Sequence, residues 1–104
     1  MNFKEYQEQA KSFALETALN EEYLVSGLAA EAGEVAGKYA KKVRDGEKDS
    51  YQKELLKEVG DVLWFAALLA EIHGVSLEDL AHENVDKLAS RQARGKISGS
   101  GDNR

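Results

Sequence analysis

The chain of 104 residues contains no cysteine and no proline. Without cysteine it can form no disulfide, no thiolate metal site and no intermediate on a cysteine nucleophile. The absence of proline, which interrupts helices, favours an all-helical chain. No apolar run approaches the roughly 20 residues that a membrane-spanning helix needs, so no membrane partner is expected.

Basic residues are also in the minority. The chain has 14 Lys and Arg against 19 Asp and Glu, a formal net charge of −5. A general nucleic-acid binder needs a basic face, so this composition excludes nucleic acid as the expected partner. The first 20 residues are charged and amphipathic and therefore do not form a signal peptide. A cytoplasmic location is the expectation.

Capping signals and a 3.6-residue apolar period predict one domain of four helices over residues 1–95. Short connections favour antiparallel neighbours. The fold class is therefore all-α and four-helix bundle-like, and the modest length predicts that homo-oligomerisation completes it. Residues 96–104 form a Gly- and Ser-rich C-terminal tail. The predicted helices run from Phe3 to Leu19, Glu21 to Arg44, Tyr51 to His73 and Leu77 to Arg94.

Two acids interrupt the apolar stripe of the third predicted helix. Glu58 and Asp61 fall at positions i and i+3 inside that stripe rather than opposite it. Burying two like charges without a partner is unfavourable or forces a proton onto one of them. A positive partner is therefore predicted, and a divalent cation is the simplest. The stripe itself consists of Leu55, Val62, Phe65, Leu69 and Ile72.

The second helix repeats this pattern 27 residues earlier, with Glu31 and Glu34 in the same acid-x-Gly-acid-Val form. A glycine, Gly33 or Gly60, lies between the acids of each pair. A mid-helix glycine costs about 0.5–1 kcal/mol relative to alanine. Its presence at both places predicts close backbone approach or room for a ligand.

Two antiparallel pairs of this kind would form a four-carboxylate box, whose oxygen ligands suit Mg²⁺, with Mn²⁺ also acceptable. The structural alternative is that lysines or arginines of neighbouring helices neutralise the acids. A ferritin-like di-iron site would need Glu-x-x-His on two helices. Neither His73 nor His82 has that spacing.

Several further residues have both a functional and a structural interpretation. On the fourth helix, Asn84, Lys87 and Arg91 share a face and form either a phosphate clamp or an edge of snorkelling side chains. Lys38, one turn after Glu34, is a similar phosphate candidate. Glu54 is either a fifth acid of the site or a solvated residue at a helix start.

Trp64 and the tail complete the set of candidates. Trp64 belongs to the core or a subunit interface, with a base-stacking platform as the alternative. The tail from Gly99 to Arg104 could wrap a phosphate with its glycine backbone and Arg104, the alternative being a disordered end.

Glu31-x-x-Glu34 followed by Glu58-x-x-Asp61 within EVGDVLW resembles the MazG-like nucleoside triphosphate pyrophosphohydrolases, of the all-α NTP pyrophosphatase superfamily. The later segment NVDKL, from Asn84, is similar to the family pattern. The resemblance covers roughly residues 21 to 95, and the tail is similar to that of small single-domain members.

This resemblance implies an all-α fold acting as a homodimer or homotetramer, with sites involving more than one chain. It implies Mg²⁺-dependent hydrolysis of an NTP or dNTP to the nucleoside monophosphate and pyrophosphate, as housecleaning of the nucleotide pool. The four acids would be the metal-binding and catalytic residues. The substrate-binding candidates are Lys38, Asn84, Lys87, Arg91 and Arg104.

One position departs from the family pattern. Many members begin the first motif with two adjacent acids, whereas this chain has Ala30 before Glu31. A metal ligand or base is therefore missing or supplied elsewhere. The alternative to an enzyme is a non-catalytic helical interaction module that retains the fold.

Overall fold

The computed structural model describes residues 1–104 and contains four α-helices and no strand, which confirms the all-α prediction. A single 3₁₀ turn, Glu16–Ala18, joins the first two helices. No helix combines the length and apolarity needed to cross a membrane. The helices are α1 Phe3–Phe13, α2 Glu21–Asp45, α3 Tyr51–Ile72 and α4 Leu77–Ala93.

Side chains cap three of the four helices. The Asn2 and Asn20 side chains each accept a backbone N–H three residues on, at 2.8 Å, and Ser76 does so at 3.0 Å. These bonds satisfy amides that have no partner inside the helix. Gly46 and Gly74 follow α2 and α3 with φ of 89° and 69°, a conformation that favours glycine.

The first helix is shorter than predicted, and its extension to Leu19 is wrong. Ala14 and Leu15 are extended, with ψ of 133° and 148°. The segment contributes no buried side chain between Ala10 and Ala18, and Phe13 projects into solvent. Breaking the helix at Ala14 instead lets Leu19 pack against the core.

The core lies at one end of a long hairpin formed by α2 and α3, which pack together more extensively than any other pair of helices. Of the predicted α3 stripe only Phe65 is buried, because α3 contacts α2, α1 and α4 and its buried surface is spread around the helix. The buried apolar cluster consists of Ala10, Leu24, Phe65, Ala67, Leu68 and Leu77.

A buried glutamine ties α1 to the turn between α3 and α4. The Gln7 Nε2 donates to Glu71 Oε2 and to the Val75 carbonyl, both at 3.0 Å. Its Oε1 accepts the Leu77 N–H at 2.7 Å. Both N–H donors and the carbonyl oxygen of the amide are thus engaged, so its burial leaves no unpartnered polar atom.

Trp64 belongs to the core, as predicted. Its Nε1 donates to the Ala10 carbonyl at 3.2 Å, and its ring meets Phe65 edge-on with centroids 5.0 Å apart. An indole held in this way does not serve as a platform for a base.

The loop-side half of the hairpin has no helix packed over it. No residue between positions 25 and 64 is buried. The radius of gyration is 16.4 Å, against roughly 13 Å for a compact chain of this length. The accessible surface is 7607 Å², against about 5,800 Å² for a compact monomer of this mass. The apolar side chains exposed on this half include Tyr39, Val43, Leu56 and Val59.

The close helix approach occurs at a glycine that the sequence reasoning did not single out. Atoms of the Phe65 ring occupy the space that a Cβ on Gly27 would need. At Gly33 and Gly60 an added Cβ would meet nothing within 4 Å. Close approach is therefore wrong for those two positions, and the alternative of open space is the one observed.

The tail folds back onto α4. Asp102 Oδ1 accepts from Lys87 Nζ at 2.7 Å and from Arg91 Nη2 at 3.3 Å. The Arg91 side chain is only 7% exposed. These two contacts lower the pKa of the Asp102 carboxyl, Lys87 contributing most.

Arg104 closes the tail loop from within. Its guanidinium donates to the carbonyls of Lys96, Ile97 and Gly101 at 2.7–3.1 Å. Arg94 in turn donates to the Arg104 carbonyl at 2.7 Å. The tail is thus a hydrogen-bonded loop on α4 rather than a disordered end.

The Gly27 contact predicts opposite stability effects for two glycines of the same helix. Gly27→Ala forces the Phe65 ring to move, and overpacking of this kind costs about 1–3 kcal/mol. Gly33→Ala meets open space and gains about 0.5–1 kcal/mol from helix propensity. Urea unfolding followed by circular dichroism measures both free energies. Equal stabilisation by the two substitutions would contradict the close approach.

The Asp102 contacts predict that tail docking is acid-sensitive. Because the folded pKa of Asp102 lies below its ordinary 3.8, its contribution is complete above that value and is lost as pH falls through the folded pKa. The NMR amide signals of Gly99 and Gly101 should then move to undocked positions while the helical content persists. Asp102→Asn should show undocked signals already at neutral pH. Docked signals in that variant would contradict the assignment.

Candidate metal centre

The seam between α2 and α3 positions the acids. Gly27 and Glu31 are four residues apart on α2, and Phe65 and Asp61 are four residues apart on α3. Residues at this spacing lie one above the other on a helix face. The contact of Gly27 with Phe65 therefore forms one layer of the seam, and Glu31 faces Asp61 in the next layer towards the loop.

Three carboxylates converge in that layer. One oxygen from each of Glu31, Glu58 and Asp61 lies within 4.8 Å of the others. Glu31 and Glu58 are half-buried, and Asp61 is exposed. None of the ion pairs in the chain involves these three groups. The structure therefore does not support the alternative in which lysines or arginines neutralise these acids.

The fourth predicted member of the box, Glu34, lies outside this group. Glu34 is exposed and one turn nearer the loop on α2. The acids are also less buried than predicted, because no third helix covers this part of the hairpin. The structure thus brings together three carboxylates, with Glu34 beside them.

The carboxylates of this group repel one another. The pKa of Glu31 is raised by partial burial first, then by the charges of Asp61 and Glu58, by a hydrogen bond with Glu58, and last by Glu34. Each of these causes disfavours the ionised carboxylate. A cation between the oxygens would remove the repulsion.

The donor set fits a hard divalent cation. The three carboxylates have no ion-pair partner within the chain. Carboxylate oxygens, together with water and substrate phosphates, are the usual ligands of Mg²⁺. The group contains no histidine: His82 is exposed, and His73 Nε2 lies 3.3 Å from Glu21 Oε1. The di-iron alternative, which needs histidine ligands, has no support in the structure.

Two further candidates from the sequence, Lys38 and Glu54, line a basic groove on the loop side of the acids. Lys38 is half-buried in it, and Glu54 lies across from it on α3. We call this the hairpin groove. Its other lining side chains include Lys41, Lys42, Arg44, Lys48 and Tyr51.

The α4 candidates lie against the tail. Asn84 is exposed and shares a shallow depression with Lys87 and Asp102. Lys87 and Arg91 both donate to Asp102, and Arg104 donates to tail carbonyls. The structure therefore shows these cations engaged within the chain.

Sequence reasoning missed the hairpin groove and the role of Asp102. Basic residues near the C-terminus of a helix are expected from its dipole alone, so by themselves they do not indicate a groove. The signal that could have revealed the groove is the spacing of Glu31, Lys38 and Lys42. At i, i+7 and i+11 they follow one line along the helix.

Comparisons with known proteins find one domain family over most of the chain. The model of the MazG nucleotide pyrophosphohydrolase domain matches residues 19–95, which include the three carboxylates and α4. The chain is 45% identical over 85 residues to Gene 37 protein of Mycobacterium phage L5, covering 79% of this chain and 75% of that protein. It is 35% identical over 75 residues to the uncharacterized protein YvdC of Bacillus subtilis, covering 64% and 71% respectively.

No solved structure matches this chain. The family model spans far more than half of the sequence, and its match includes both acid motifs. On this evidence the chain belongs to the MazG nucleotide pyrophosphohydrolase family.

Proposed function

We propose that this protein hydrolyses a nucleoside triphosphate, an NTP or dNTP, to the monophosphate and pyrophosphate, as housecleaning of the nucleotide pool. The observation that carries the proposal is the convergence of three unpaired carboxylates within a MazG domain. A nucleoside triphosphate is itself strongly negative, so this acidic centre can accept it only together with cations.

Glu31, Glu58 and Asp61 would hold Mg²⁺, with Mn²⁺ as a substitute. The bound ion supplies charge neutralisation of the phosphates and lowers the pKa of a coordinated water. The side chains orient the reacting groups by accepting hydrogen bonds from water with their remaining oxygens.

Glu34 is the favoured proton acceptor, with Glu31 as the alternative. It lies beside the three ligands without belonging to them, so its oxygens are available. As the attacking water adds to phosphorus, its proton passes to this carboxylate. The α–β anhydride bond breaks, and its electrons leave with pyrophosphate.

The cations of α4 would contact the phosphates. Lys87 and Arg91 supply charge-assisted donors, and Asn84 beside them an amide for the nucleotide. In the free chain both cations donate hydrogen bonds to the Asp102 carboxylate. We propose that a phosphate of the substrate takes the place of this carboxylate. Arg104 would then become available from the displaced tail.

We propose a homodimer or homotetramer in which a second copy covers the open half of the hairpin. The accessible surface exceeds that of a compact monomer by roughly 1,800 Å², more than the ~800 Å² that each partner buries in a standard interface. The exposed Leu56 and Val59 lie next to Glu58. A partner packed there would also exclude water from the acids.

The second candidate function is a non-catalytic module. The alanine before Glu31, where many family members have an acid, favours it. Calorimetry separates the two functions: an enzyme binds Mg²⁺ with or without nucleotide, whereas the module has no measurable Mg²⁺ affinity under either condition.

A substrate panel tests the proposed activity. We expect the pure protein with Mg²⁺ to release pyrophosphate from at least one NTP or dNTP. Glu58→Gln should lower that rate by more than about 100-fold, since even outer-shell partners of metal ligands account for 10–100-fold. Circular dichroism should show unchanged helical content.

Glu22→Gln is the matched control, because it removes an exposed acid from α2 outside the centre. It should retain the wild-type rate. No pyrophosphate release from any nucleotide in the panel would refute the enzyme, and full activity of Glu58→Gln would refute the assigned centre.

The proposed assembly predicts that charge on the open half dissociates the oligomer. Leu56→Glu should shift the sedimentation coefficient towards the monomer and reduce the turnover rate, because it buries an unpaired carboxylate in the interface. Leu15→Glu, at an exposed residue away from the hairpin, is the control and should leave the assembly intact. A wild-type chain that sediments as a monomer would contradict the proposal.

A further inference from the structure

We propose that the hairpin groove binds the terminal phosphates of the substrate, so that the pyrophosphate leaving group points towards the loop end of the α2–α3 hairpin. This inference rests on the proposed function and deepens it. It assigns the site a triphosphate rather than a diphosphate preference and gives the substrate a direction along the seam.

The groove has an excess of positive charge in an acidic protein. Residues 38–48 contain five lysines and arginines against two acids, whereas the whole chain carries −5. Lys42 pairs with Glu47 at 3.0 Å, and Arg44 pairs with its neighbour Asp45 at 2.7 Å.

Three groove lysines, Lys38, Lys41 and Lys48, have no ion-pair partner in the chain. Cations in the last turn of α2 complement its dipole, but Lys38 lies two turns from that end. Their charge also outweighs the roughly half unit of negative charge at the helix terminus.

The groove and the metal centre share one face of the seam. Glu31 and Lys38 are seven residues apart on α2, hence on the same line and about 10 Å apart along the axis. On α3, Glu58 and Tyr51 have the same separation. Helix side chains lean towards the N-terminus, so the α2 lysines lean from the groove towards the acids.

This order of charges matches a polyphosphate. Phosphates held at the acids through a cation would continue towards Lys38 and Lys41, which act as point charges for phosphate oxygens. Lysines there would stabilise the charge that develops on departing pyrophosphate. A nucleoside diphosphate would lack the phosphate that reaches them.

The test uses the double variant Lys38→Gln/Lys41→Gln of the full chain. With Mg²⁺ and inorganic pyrophosphate as the probe, calorimetry should show affinity reduced roughly tenfold or more, as expected when charge-assisted contacts are removed. The kcat/KM for the best triphosphate should fall similarly, and Mg²⁺ affinity without pyrophosphate should stay unchanged. Lys38→Arg/Lys41→Arg should restore most of the affinity.

The matched control is Lys53→Gln/Lys57→Gln, which removes the same charge from α3 outside the groove. Equal pyrophosphate affinity in the two double variants would overturn the proposal, and so would no binding to the wild type. If the α2 variant does not fold, Lys48→Gln in the loop gives the same readout.

The two proposals fail separately. If the wild type hydrolyses triphosphates but the two double variants bind pyrophosphate equally well, the proposed function stands and the assignment of the groove fails. If the wild type hydrolyses no nucleotide but binds pyrophosphate, and only the groove lysines affect this binding, the assignment of the groove stands and the proposed function fails.

Discussion

The mutual repulsion among Glu31, Glu58 and Asp61 is the main constraint on the packing of α2 against α3. Their oxygens meet within 4.8 Å, and none of the chain's own ion pairs includes them. Left alone, this arrangement opposes the packing of α2 on α3. It persists because the Gly27–Phe65 contact one layer away brings the helices together. The core thus holds together a group of acids that a bound cation would stabilise.

Burial is uneven along the chain because the core and the acids lie in different halves of the hairpin. Buried residues concentrate where α1 and α4 cover α3, and the half of the hairpin with the acids is open. The open half would leave room for the proposed triphosphate and for the proposed second copy. The glycines between the acids add to this space, since an added Cβ would meet nothing there.

Much of the fold was predictable because it depends on local signals. Side-chain caps at Asn2, Asn20 and Ser76 mark helix starts, and glycines at positive φ mark the ends of α2 and α3. The early end of α1 was not predictable, because it depends on where Leu19 packs rather than on the propensity of residues 14–18.

The candidate site was predictable in composition but not in its arrangement. The repeated acid pairs indicated which carboxylates meet, yet only packing decides that Glu34 stays outside. The spacing of residues 84, 87 and 91 indicated a shared face, whereas the contact of Asp102 with Lys87 depends on a tail of irregular backbone. Helical periodicity carries no information about such a segment.

Binding of a divalent cation by the three carboxylates can be tested directly in the anomalous difference map of a crystal soaked in Mn²⁺. We expect a peak at coordination distance from oxygens of Glu31, Glu58 and Asp61. A map without a peak there, or a structure in which lysines or arginines of a neighbouring copy bind these three carboxylates, would contradict it.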